Sequence, residues 1–120
     1  MVSAQTLFYK YGSPITDGVS ELFYDRVLAD PSLTPFFEGI DVNLLRDHMS
    51  DVLSVITGGP NLYKGRDLKT IHARFGIGIT DFDKILDHMV ASVEEVGATH
   101  DEALSIAAGF QERRDEIVTK

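Results

Sequence analysis

Four histidines carry most of the chemistry this 120-residue chain can offer: His48, His72, His88 and His100. His72 follows Leu68 by four residues and precedes Phe75 by three, while His48 follows Leu44 by four and precedes Val52 by four. On a helix those offsets put each imidazole among apolar side chains. A polar ring in such a place needs a partner. Taken singly, either is more often a hydrogen-bonded core or boundary histidine than a ligand. Two of them, on separate helices, point to a shared object between them. His88, beside Asp87 on a helix whose apolar side is Leu86, Met89, Val90 and Val93, reads as a boundary residue, and His100, beside Asp101, as a solvated one.

Zinc suits the pair poorly. A structural zinc site takes four ligands, usually including Cys, and a catalytic one takes three, yet the chain has no cysteine. A di-iron carboxylate site asks for Glu three residues before each histidine, where this sequence has Leu45 and Lys69. Haem demands less. Its porphyrin supplies four nitrogens, so one neutral imidazole holds the iron while apolar side chains bury the ring. Positive charge at the rim would meet the propionates, and the segment Lys64-Gly65-Arg66-Asp67-Leu68-Lys69 leading to His72 carries it.

The elements that must position these residues read as helices. Residues 4–10 form a short opening helix ended by Gly12. Ser13-Pro14 resembles an N-cap followed by Pro at the first helical position, and Ile15, Val19, Leu22, Phe23 and Val27 continue to Ala29, where Pro31 prevents extension. A turn through Pro35 and Phe36-Phe37 leads to a helix beginning at Asp41, with Leu44, Leu45, His48, Met49, Val52, Val55 and Ile56 as its apolar pattern. Gly58-Gly59-Pro60 stops it. A shorter helix is expected over about Asp67 to Arg74. Thr80 then caps a helix ending at Gly97, and Thr99 with Glu102 makes a capping box for a last helix running through Ile117 and Val118. No segment alternates as a strand does. The expected class is all-α, as one domain over residues 1–120.

Composition narrows the function. A net charge of −8 argues against general affinity for nucleic acid or anionic membranes, which need a basic face. No apolar run approaches the roughly 20 residues of a membrane span, and no basic-then-apolar leader opens the chain. The expectation is a cytoplasmic protein, a monomer or weak homo-oligomer.

The ordered set Phe23-Tyr24-Asp25-Arg26-Val27-Leu28-Ala29-Asp30-Pro31, Phe36-Phe37, His48, Gly58-Gly59, Tyr63-Lys64-Gly65-Arg66 and His72 resembles the group I truncated haemoglobins over residues 6 to 97. Tyr24 to His48 and His48 to His72 are each 24 residues (48 − 24 and 72 − 48). The resemblance implies a two-over-two helical sandwich around haem. It makes His72 the proximal iron ligand, Phe37 an aromatic packed on the porphyrin, and Tyr24 a distal hydroxyl aimed at the ligand. Leu45, His48 and Met49 line or flank the distal side, with His48 either closing the sixth iron position or standing beside it. Arg66 and Lys69 become propionate partners, with Tyr63 nearby.

Three departures from the family pattern are visible. Gly12-Ser13-Pro14 replaces the usual Gly-Gly after the first helix. Leu45 and Met49 stand where many members have glutamine. His100 does not match the late histidine that some relatives link covalently to haem. The implied cofactor is therefore non-covalent haem b. The implied function is reversible binding of O2, NO and CO. The alternatives are nitric oxide dioxygenation supported by a cellular reductase, and a cofactor-free helical interaction module.

Overall fold

The structure, a computed structural model, describes residues 4–60 and 76–118. A 3-10 turn over Ala4–Thr6 leads into α1 (Leu7–Tyr11), and Gly12, at φ +73°, closes it by donating its N–H to the Phe8 carbonyl at 2.7 Å. The next segment differs from the expectation that Ser13 caps the long second helix. Ser13–Ile15 is a separate 3-10 turn, and α2 spans Asp17–Leu28 with Thr16 as its N-cap. The reason lies in the hydrogen bonds. Ile15 N bonds to Gly12 O and Thr16 N to Ser13 O, both at i−3, before Ser20 N to Thr16 O sets the α register. Pro14 costs nothing in such a turn, because its missing donor has no partner there.

α2 buries Val19, Ser20, Phe23, Tyr24 and Val27, a helical stripe. It ends where the Asp30 carboxylate accepts from Ser32 N at 2.9 Å and Ser32 Oγ at 2.7 Å, a side-chain turn ahead of a 3-10 helix over Thr34–Phe37. Asp41 caps α3 (Val42–Ile56) by accepting from Asn43 N at 2.9 Å. Leu44, expected on the apolar face, is 67% exposed. The buried stripe of α3 gathers on Val52, Leu53, Ser54 and Ile56, and Leu44 lies one residue, about 100°, round the helix from Leu45.

Gly58-Gly59-Pro60 stops α3 as expected, and the structure shows why glycine stands there. Gly58 has φ +80°, and a Cβ on it would lie 1.8 Å from the Gln5 carbonyl oxygen. Phe8 N bonds to Thr57 O at 3.0 Å across the same junction. The N-terminal segment is thus laid directly on the end of α3.

α4 spans Ile79–Glu95. Its cap is Gly78, two residues before the Thr80 cap expected from sequence, because the Asp81 carboxylate reaches back to the Gly78 N–H at 3.1 Å. α5 spans His100–Gln111, and the expected capping box is present, with Glu102 N to Thr99 Oγ1 at 3.1 Å and Thr99 N to Glu102 Oε1 at 2.9 Å. The last helix was expected to run on through Val118 but breaks at Glu112-Arg113. Arg113 Nη1 donates to the Gly109 carbonyl at 2.7 Å, satisfying a helix-end acceptor. The short α6 (Arg114–Ile117) then turns Ile117 inward.

Packing is two layers, α2 with α3 and α4 with α5. α2 also crosses α4, and α3 meets α5. The last contact is close: a Cβ on Gly109 would lie 2.7 Å from Ile56 Cγ2. The described residues hold no strand, so the fold is all-α as expected. None of the described helices is long and apolar enough to cross a membrane.

Glu102 does more than cap. Its side chain is 5% exposed and takes Lys10 Nζ at 2.7 Å and the Tyr11 hydroxyl, which ties α1 to the start of α5. Burial pushes its carboxyl upward, but bonds from Lys10, the Thr99 N–H and Tyr11 outweigh it and bring the group down to about 2. A depressed carboxyl stabilises the fold above its unfolded titration range near 4 and loses that contribution as pH falls through about 2. Glu102→Gln should therefore lower stability at neutral pH by about 1–2 kcal/mol, Lys10 being half in solvent. Thermal unfolding of both proteins should show that gap closing as the pH is taken down toward 2.

Candidate functional site

α2 and α3 run antiparallel, joined by side chains along their length. Ser50 Oγ donates to Asp17, Ser20 Oγ donates to the Arg46 carbonyl at 2.7 Å, and Arg46 Nη2 pairs with Asp25 at 3.0 Å. These links set Tyr24 of α2 beside the 45–52 stretch of α3. The Tyr24 ring meets Phe23 edge-on at 5.0 Å and Phe37 edge-on at 6.0 Å, both within the ordinary range for aromatic pairs. Tyr24 is 5% exposed. Burial pushes its phenol well above the usual range, and the Arg46 guanidinium offsets this only in part. The hydroxyl stays protonated, a donor at any ordinary pH.

These residues border an apolar cavity of about 60 Å³. One side is Phe23 and Tyr24 of α2, Phe37 of the 3-10 helix, and Leu45, His48, Met49 and Val52 of α3. The other is Ile77 with Phe82, Ile85, Leu86 and Met89 of α4. Phe110 of α5 and Ile117 of α6 complete the lining. Tyr24 and His48 are the polar side chains in an otherwise apolar wall. That donor set suits a flat, largely apolar macrocycle. It does not suit a metal held by protein alone, and no cluster of three or more potential metal ligands occurs among the described residues.

Of the residues singled out from sequence, Tyr24, Phe37, Leu45, His48 and Met49 meet in this one pocket. His72, Tyr63, Arg66 and Lys69, and the helix expected over 67–74, lie outside the described residues. The α4, α5 and α6 residues of the far wall were legible as apolar, not as site. Their helical spacing is the same whether a face meets protein or a cofactor. His88 and His100 stand apart from the pocket: His88 Nε2 lies 2.9 Å from Asp30 Oδ2, and exposed His100 meets Glu94.

Comparison with known proteins agrees with this geometry. The bacterial-like globin family model matches residues 6–118. A group 1 truncated haemoglobin of Tetrahymena pyriformis is 29% identical over the full length of both chains. One from Synechocystis is 30% identical, over 93% of this chain and 97% of that one. The crystal structure of the Tetrahymena protein in its Fe(III) form superposes with a TM-score of 0.88 at 29% identity, covering 97% of this chain and all of that one. A Synechococcus 2/2 haemoglobin, solved in the cyanomet state with covalently attached haem, gives 0.80 at 26% identity, covering 96% of this chain and 99% of that one. The chain belongs to the bacterial-like globins and, among them, to the group 1 truncated haemoglobins, haem proteins that bind diatomic gases.

Proposed function

We propose that this globin binds O2, NO and CO reversibly at haem b held non-covalently, with His72 as the proximal ligand and Tyr24 stabilising the gas. The observation that carries the reading is the apolar pocket walled by α2, α3 and α4, with Tyr24 and His48 as its polar groups. Haem would supply a ferrous iron with one position for a diatomic ligand.

The protein's own residues do the rest. His72 offers one ring nitrogen to the metal, and a hydrogen bond at the other nitrogen sets the ring's orientation and basicity. Phe37 packs against the macrocycle, and Arg66 and Lys69, with Tyr63, meet the propionates. Tyr24 would donate a hydrogen bond from its hydroxyl to the outer atom of a polar diatomic ligand. Leu45 and Met49 donate nothing and keep water out, which protects the ferrous state. His48 lines the pocket from α3 and would be the second imidazole available to the iron. His100, exposed and engaged with Glu94, supports non-covalent attachment.

Absorption spectra of the ferrous, gas-free protein after haem addition test the reading. Wild type should show sharp, split visible bands from histidine on both sides of the iron, and His48→Ala a single broad band. A broad band in wild type would remove His48 from the metal and leave the rest standing. Protein that stays colourless would overturn the whole reading.

A further inference from the structure

α4 has two working edges. Its apolar edge, with Phe82, Ile85, Leu86 and Met89, walls the pocket. Its polar edge carries Lys84 and His88, four residues apart and so on one face, and both reach the turn that follows α2. His88 Nε2 donates to Asp30 Oδ2 at 2.9 Å, and Lys84 Nζ donates to Ser32 Oγ at 3.0 Å. Asp30 organises the turn itself. Its other carboxylate oxygen takes Ser32 N and Oγ, and its carbonyl accepts from Leu33 N and Thr34 N at 3.0 Å each. Leu33 is fully buried, and the chain passes from it straight into the 3-10 helix that presents Phe37 to the pocket and to the Tyr24 ring.

We propose that His88 is a positioning residue for the pocket: by gripping Asp30 it fixes the turn that seats Phe37 against Tyr24, so that proton uptake at His88 tightens the distal wall. The charged groups around His88 are Asp30 from the turn and Asp87 and Lys84 of α4, the lysine holding Ser32. Arg26 of α2, the next cation along the α2–α4 contact, pairs with Glu95 at 3.5 Å. Both His88 and Asp30 are about three-quarters hidden from solvent, with side chains 25% and 22% exposed, so salt screens their attraction incompletely. The Asp30 carboxyl, drawn down to about 2 by His88 and then by Ser32, remains an anion throughout the range of about pH 5 to 8 in which histidines change charge.

Proton NMR of the aromatic rings against pH tests the proposal on the protein as purified. In wild type the Phe37 and Tyr24 ring signals should titrate with the His88 ring. His88→Gln and Asp30→Asn should abolish that response, whereas Glu94→Gln, which frees His100, should leave it intact. Phe37 and Tyr24 signals that ignore His88, or that titrate equally in His88→Gln, would overturn the proposal. A second arm rests on the haem reading. Gas release should be slower at pH 5.5 than at pH 8 by roughly twofold to fivefold, in line with one partly screened ion pair, and the difference should vanish in His88→Gln. The first arm asks only whether those ring signals follow His88, whatever fills the pocket, so its failure is distinguishable from failure of the cofactor assignment.

Discussion

His72→Ala is expected to abolish specific haem uptake, with affinity down at least about a hundredfold, the upper range seen when even supporting contacts of a metal ligand are lost. The pocket lining offers the macrocycle apolar contact and two polar groups, Tyr24 and His48. Apolar contact holds a flat ring without fixing which face or edge points where. A metal–imidazole bond supplies both strength and orientation. Titration of the variant with haem should give a broad, weakened Soret band, and millimolar free imidazole should restore a sharp one by refilling the vacated position. A His72→Ala spectrum indistinguishable from wild type, band for band, would move the ligand to another residue. If His48 took over, a His72→Ala/His48→Ala double variant would lose the band that the single variant kept.

How far these assignments were legible depended on whether the deciding interaction is local. The Thr99–Glu102 box and the start of α3 at Asp41 are fixed within a few residues, and sequence located both; it also located the Gly58-Gly59-Pro60 stop, though not the Gln5 carbonyl that closes over Gly58. Thr16 and Gly78 were missed as caps. At each, a neighbouring hydroxyl (Ser13 or Thr80) looked as suitable, and the choice was made by i−3 bonds after Gly12 and by Asp81 reaching back. The partners of Glu102 are 91 and 92 residues away in sequence, so its second role was invisible. The break at Arg113 depends on one guanidinium finding the Gly109 carbonyl.

The site divided along the same line. Tyr24, Phe37, Leu45, His48 and Met49 were picked out through the family pattern, and they do share a pocket. The far wall was not picked out, because Phe82, Leu86 and Met89 repeat at the spacing of any buried helix face. His88 was assigned to the boundary and does lie there. Its link to Asp30 spans 58 residues, and its bearing on Phe37 emerges only once the turn is folded.

Tyr24→Phe should leave the fold and haem uptake intact while speeding O2 release by roughly 5- to 150-fold, the equivalent of about 1–3 kcal/mol for one hydrogen bond in a dry pocket. Phenylalanine keeps the edge-on contacts with Phe23 and Phe37, so the change removes a donor and little else. The effect is large because Leu45 and Met49 have no proton to give, which leaves His48 as the other polar group of the lining. Carbon monoxide, less polar at its outer atom, should show a much smaller change, and stopped-flow displacement of each gas measures both. The ratio of the two effects carries the argument. A purely steric role for the tyrosine would shift O2 and CO alike, whereas a hydrogen bond shifts O2 far more. Should O2 release barely change in Tyr24→Phe yet accelerate in His48→Leu, the donor is the imidazole, and the phenol serves as packing between Phe23 and Phe37.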